Sequence, residues 1–255
     1  MVEGAGMTFA ARTLMGVDTG LIDYNDLTVL LHMNGSNGST AFTNSIAGAS
    51  FSAYGNAKIS TARSQFGGAS CLLDGTGDYL FAAYNSAIDL LGGSFIVSAH
   101  IYYPSPLNAS YDRRIFSTGG GAVAWNSSNG IHLLCQINGG YSSAPQKANI
   151  QFYTSSGVVG LSSSNSINLD AWNHVLFQYS AVEGKVYVGV NGTLTFATPS
   201  SAPSRPSTNP QCAIGTIPGE GGSSGPAWNG NIDELAVAKV APVSGSTYEV
   251  PSAPF

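Results

Sequence analysis

The chain has 255 residues, 43% of them hydrophobic and only 9% charged, a globular composition long enough to bury a sizeable core without staples. A formal net charge of −5, with nine scattered Lys and Arg, excludes the basic stripe that nucleic-acid binding needs. No run approaches the ~18 apolar residues of a membrane span.

In chain order, residues 1–25 come first and differ from the rest. They carry Met7, Phe9, Leu14, Met15 and Val17, more apolar than a solvated tail requires. We read them as an arm that docks on its own domain or on a neighbour. The first eleven residues lack a basic stretch followed by an apolar one, so export by the usual secretory signal is not expected.

A body of short strands follows, over residues 26–240. Residues 27–33 are strand-like and are broken by the turn residues Asn34 to Ser39. Residues 66–73 lead into a tight turn at Asp74 to Gly77, and 78–81 begin the next strand. Residues 95–103 alternate, with Phe95, Val97, Ala99 and Ile101 on one face and Ser98 and His100 on the other, the mark of a half-buried strand. Residues 114–117, 131–137, 149–153 and 172–179 predict further strands. Residues 185–190 and 193–196 flank Asn191-Gly192, and Asn-Gly supplies the two positive-φ residues of a type I′ hairpin turn. The Ser/Pro-rich stretch 200–210 and the stretch 219–225 predict surface loops. Residues 230–237 predict a last strand, and 241–255 a loosely held tail. With no helix-period stretch in the body, the fold class is all-β, a sandwich or barrel.

Cys71, Cys135 and Cys212 sit among apolar or small residues. An odd count at wide spacing argues for buried free thiols rather than a disulfide framework or a zinc site.

Several segments, taken in order, resemble the laminin-G-like, concanavalin-A-type jelly-roll family. They are LLHMNGSNGSTAF from Leu30, GNAKISTA from Gly55, FGGASCLLDGTGDYL from Phe66, WNHV from Trp172 and GNIDEL from Gly230. The resemblance spans roughly residues 27–240, and the wording of the first and third segments is similar to versions in bacteriophage virion proteins. It implies two antiparallel sheets packed face to face with a short N-terminal arm. It also implies a binding or structural role, often sugar-directed, on virion surfaces or tails. Family members often carry an acid after the first Gly/Ser turn, where this chain has Thr43-Asn44-Ser45; calcium held by that region is therefore not implied.

Candidate sites are few. Sugars stack on exposed aromatic faces, and Trp125, Tyr141, Tyr153 and Trp228 lie in or near Gly/Asn/Ser loops; packing at loop bases is their alternative. No cofactor is expected. The one metal the acids would suit is calcium, which takes oxygen ligands, with Asp74, Asp78 and Asp233 as donors. The alternative has Asp74 capping its turn and Asp233 bonding locally to backbone. His32, His100, His132 and His174 each lie alone in a strand-like run, facing solvent or a polar partner. The Glu-x-Asp-x-x-Glu spacing of catalytic jelly rolls is absent, and a regular strand would point Asp233 and Glu234 to opposite faces. No catalytic residue is assigned. Gly221 to Gly225 matches Gly-x-Ser-x-Gly but lies between prolines, where a nucleophile elbow needs a strand and a helix.

The expectation is a non-enzymatic bacteriophage virion surface protein, a head decoration or head-fibre subunit made in the host cytoplasm. It would contact other virion proteins through its arm and form a homo-oligomer, a trimer by preference. The alternative is a carbohydrate-binding module of a tail fibre or adhesin, meeting cell-surface glycan. A glycan-degrading enzyme is the weaker third. Neither nucleic acid nor a membrane is an expected partner.

Overall fold

A computed structural model describes residues 22–105, 112–120, 130–138, 146–204, 209–219, 227–240 and 244–255. Strands dominate it. They are β1 (Leu27–Leu31), β2 (Ala41–Phe42), β3 (Phe51–Tyr54), β4 (Lys58–Ser60), β5 (Ser70–Asp74) and β6 (Tyr79–Ala82). Then come β7 (Phe95–Tyr102), β8 (Arg113–Gly119), β9 (Ile131–Ile137), β10 (Lys147–Thr154) and β11 (Gly157–Ser166). The last are β12 (Trp172–Ser180), β13 (Lys185–Val190), β14 (Thr193–Ala197), β15 (Gln211–Ile214) and β16 (Asn229–Ala238). Among the described residues, no helix is long and apolar enough to cross a membrane.

The strands form two antiparallel sheets, a jelly-roll sandwich. The first runs β14-β13-β12-β7-β16-β5-β4, with β1 also paired to β16; the second runs β11-β10-β9-β8-β15-β6-β3-β2. Period two decides which side chains face inward. Phe95, Val97, Ala99 and Ile101 of β7 join Val175 and Phe177 of β12 from one side, and Leu133, Cys135, Ile150 and Phe152 meet them from the other. A fully buried side chain of this size contributes about 1.5–3 kcal/mol, so the interior is the main source of stability. Cys71, Cys135 and Cys212 are free and buried in it, and burial pushes each thiol pKa up.

The Asn191-Gly192 hairpin forms where the sequence places it. Asn191 has φ 48° and Gly192 φ 88°, and β13 pairs β14 directly across them.

Two expectations are corrected. Strand β7 is not half-buried: Ile96, Ser98 and His100, on the face away from the main core, are buried as well. Part of their cover is the second correction, because residues 244–255 are not loose. Tyr248 N–H donates to Gly192 O at 3.0 Å, and Leu194 N–H donates to Ser246 O at 2.8 Å. Tyr248 is buried with Ile22, Ile96, Leu176, Tyr187 and Leu194 in a second apolar cluster, against which Val250 and Phe255 pack. The tail holds because it adds backbone bonds at β14 and carries apolar side chains between its prolines.

Candidate functional site

The outer face of the second sheet carries an aromatic platform. In β6, Leu80 and Ala82 point into the core, so alternation turns Tyr79 and Phe81 outward. In β3, Ala53 packs against the core and Tyr54 turns outward, directly opposite Tyr79. The two phenol rings stack at 4.7 Å with an interplanar angle of 2°, and Phe81 meets Tyr54 edge-on at 6.2 Å. Tyr54 is 44% exposed, which leaves ring surface open to a ligand. Burial, and then Tyr54, raise the Tyr79 pKa above its ordinary value; a phenol hydroxyl donates a hydrogen bond at neutral pH with or without that shift.

A polar rim adjoins this platform, built where two turns meet. Gly55, at φ +66°, follows Tyr54; a Cβ there would sit 2.3 Å from Gly77 O, so the close approach requires glycine. Asp78 accepts from the N–H groups of Asn56 and Asp74. Asp74 accepts from Thr76 N–H at 2.8 Å and Asn56 Nδ2 at 3.3 Å. Burial raises the Asp78 pKa, the two backbone donors oppose that, and the Asp74 charge adds to it. Asp74 and Asn56 are exposed and supply acceptors and a donor beside the rings. Tyr54 and Tyr79 were not singled out from the sequence; the alternation of Leu80 and Ala82 was the signal that would have found them.

Asp233 lies elsewhere. It is buried in β16, where its Oδ2 accepts from Gln65 N–H at 2.8 Å and Phe66 N–H at 3.1 Å. Burial, foremost, raises its pKa to about 6. The structure therefore divides the proposed calcium ligands into Asp74 with Asp78 and a separate Asp233. Among the described residues, no group of three or more His, Cys, Asp or Glu could hold a metal ion.

The stacking candidates also separate. Trp228 is corrected: it is fully buried, beside Tyr103 at 5.4 Å between ring centroids, because the indole is large enough to fill the space between the sheets. Tyr153 is half-buried in β10 and, being of the opposite parity to the inward Phe152, faces outward. Trp125, Tyr141 and the Gly221–Gly225 motif lie outside the described residues.

Glu234 departs from the regular strand assumed above. It has φ 46°, and the β16–β7 register shifts between Asp233 and Ala236. At this bulge β16 hands over from β5 to β1. His32, just past β1, meets the buried Glu234 carboxylate there.

His174 meets polar partners, as the sequence reading expects, whereas His100 is buried without one and corrects that expectation. His174 bridges Ser98 Oγ at 2.8 Å and the Tyr248 hydroxyl at 2.9 Å. His100 lies against Phe66 and His174 at 5.2 and 4.8 Å, and neither of its ring nitrogens has a partner among the described residues. Burial lowers the His100 pKa to about 4. Burial, and then His100, hold His174 well below the ordinary value. His132 is buried too.

Against known proteins, a family model described as the concanavalin A-like lectin/glucanases superfamily matches residues 74–243. The chain belongs to that superfamily. No curated protein matches it in sequence. Among solved structures, this superfamily member is similar to domain 4 of AbnA, a GH43 extracellular arabinanase from Geobacillus stearothermophilus, in complex with arabinotriose. That likeness has TM-score 0.57 and 17% identity, over 86% of this chain and 94% of that one. It is also similar to the CBM40 of a Ruminococcus gnavus IT-sialidase bound to α2,3 sialyllactose, with TM-score 0.50 and 12% identity, over 62% and 82% of the two chains. The receptor-binding domain of botulinum neurotoxin mosaic serotype C/D gives TM-score 0.59 and 13% identity; 87% of this chain matches 49% of that one. At these identities the likeness is one of fold.

Proposed function

We propose that this lectin-like jelly roll is a non-enzymatic glycan-binding module that takes sugar on the Tyr54–Tyr79 platform. The observation that carries the proposal is the stacked, solvent-facing pair beside Asn56 and Asp74. An aromatic face receives sugar C–H groups, while an amide and a carboxylate receive hydroxyls. Solved relatives of the same fold that hold arabinotriose and sialyllactose support it. The non-enzymatic part rests on the acids. Asp233 and Glu234 are buried under other chain segments, and Asp78 is tied to backbone N–H groups, so none of the three is placed to flank a glycosidic bond.

The setting we propose is the surface of a bacteriophage virion, on head or tail, with residues 1–25 making the contact to the shell or to a sister chain. The wording of the Leu30 and Phe66 segments supports it, and so does a charge content that suits subunit packing. Electron microscopy of labelled particles tests the setting: label on a shell or fibre is expected, and particles without the protein would overturn it. A glycan array tests the binding. Retention of at least one glycan, lost in Tyr54→Ala, is expected; equal retention by the variant would remove the platform from the account.

A further inference from the structure

An edge strand presents a row of unpaired N–H and C=O groups to any strand that can reach it. Most edges of this sandwich are closed. Along β4, Gly38 N–H donates to Ile59 O at 2.9 Å and Ile59 N–H donates to Ser39 O at 2.7 Å. Along β1, Leu30 N–H donates to Asn44 Oδ1 at 2.9 Å and Ser45 N–H donates to Leu30 O at 2.9 Å. The tail lies along β14. At one end of the second sheet, β2 has two residues.

At the other end of the second sheet, β11 is long and open. It runs for ten residues and, among the described residues, pairs with β10 alone. Alternate residues of an antiparallel strand bond to a given neighbour, so every second N–H and C=O of β11 turns away from β10. Beyond Ser162 the register shifts, and Ser164 N–H donates to Thr195 Oγ1 of β14 at 2.7 Å, which ties off that end. Residues 157–162 make no backbone hydrogen bond except to β10 among the described residues.

Charge and proline ordinarily keep such an edge from pairing, and both are missing. Residues 148–169 hold no Asp, Glu, Lys, Arg or Pro, so two copies of the strand meet without like charges. The interior is also open at this end. Val159 and Leu161, opposite the inward Phe152 and Ile150, pack against the main core yet are only half-buried, and so is Ala197 of β14. Val158, on the outward side, is 41% exposed.

A second copy of β11 matches the side chains as well as the backbone. A one-residue slip would turn every side chain to the wrong face, so inward residues must meet inward residues. With Gly160 opposite the partner's Gly160, Val159 stands across from the partner's Leu161 and each covers the other. No side chain then stands at the axis between the strands.

We propose that residues 157–162 pair antiparallel with the same residues of a second copy of this chain, joining the two second sheets edge to edge. The pair is two-fold and closes at two chains. It leaves both Tyr54–Tyr79 platforms uncovered, since β3 and β6 lie towards the opposite end of the sheet from β11. One seam of this length buries less than the about 1,600 Å² of a standard interface, so the expected Kd is about 10–100 µM.

Sedimentation equilibrium and hydrogen exchange of the full chain, from about 1 µM to about 1 mM, test this. A monomer–dimer equilibrium is expected, with the amides of residues 157–162 exchanging about fivefold more slowly at the top of the range than at the bottom. Val159→Lys places an ammonium where the monomer is open to water and the pair is closed. It should keep the circular-dichroism spectrum and raise the Kd about tenfold or more. The exchange measurement needs no variant and decides the matter if Val159→Lys does not fold. A chain that stays monomeric throughout the range overturns the proposal. So does association that protects other residues, such as 1–25, and not 157–162, or a folded Val159→Lys that associates like its parent.

Discussion

Glu234 closes the joint between β1 and β16: both of its carboxylate oxygens lie within 3.0 Å of His32 Nδ1, and the carboxylate also accepts from Phe255 N–H at 3.4 Å. One buried acid thus ties the exit of the first strand, the bulge of the central strand and the end of the tail. Glu234→Ala would leave His32 without its partner and a hole at the bulge. Removing one partner of a buried pair costs about 3–5 kcal/mol; with the His32 side chain 28% exposed, screening brings the expected loss to about 2 kcal/mol. Urea unfolding of the variant measures it.

The same pair sets a pH dependence. The Glu234 hydrogen bond, foremost, raises the His32 pKa above 6.5. A raised histidine adds stability that is complete below the unfolded pKa of 6.5 and is lost as pH rises through the folded value. The urea midpoint should therefore fall on the alkaline side of 6.5. In His32→Gln this step should disappear.

Acid acts through a different pair. His100 and His174 have lowered pKa values, so their contribution is complete above 6.5 and is lost as pH falls, for His100 down to about 4. Asp233 opposes them: its pKa, raised to about 6, favours the folded state as it protonates below that value. Asp78, whose pKa burial also raises, opposes them as well, so the acid loss is local to the His174–Tyr248 contact. Because His174 holds Tyr248, the tail should become accessible to carboxypeptidase before the sandwich unfolds. Simultaneous loss of tail and strand signals would contradict this.

Gly189 makes room for that tail. A Cβ at position 189 would lie 2.6 Å from the Tyr248 ring and 3.0 Å from Leu176 Cβ. Gly189→Ala should cost about 1–3 kcal/mol by overpacking and speed proteolysis after residue 240, while glycan retention on the platform is unchanged. Trp228→Ala, in the main core, should cost about 3–5 kcal/mol without freeing the tail, as thermal unfolding and proteolysis together would show.

Much of the fold was legible because short strands advertise themselves by alternation and by turn residues. Asn191-Gly192 fixed a hairpin, and residues 172–179 and 230–237 lie inside β12 and β16. Strand β11 was not legible. Its Gly, Ser and Asn residues carry little β propensity, and it is held at the sheet edge by backbone pairing to β10. Burial of the outer face of β7 was hidden for another reason: alternation reports one face, and only the folded chain shows that Tyr248 and Phe255 return to cover part of the other. At the candidate site, Asp74 and Asp78 were legible as turn acids, and their neighbour Tyr54 was not, since its pairing with Tyr79 spans 24 residues of intervening chain.

The platform is the centre of the account, and a crystal structure with an array-selected oligosaccharide tests it most directly. The account predicts a sugar ring lying against Tyr54, with hydroxyls on Asn56 and Asp74. A saccharide bound on the tail-covered first sheet, with Tyr54 and Tyr79 bare, would contradict it.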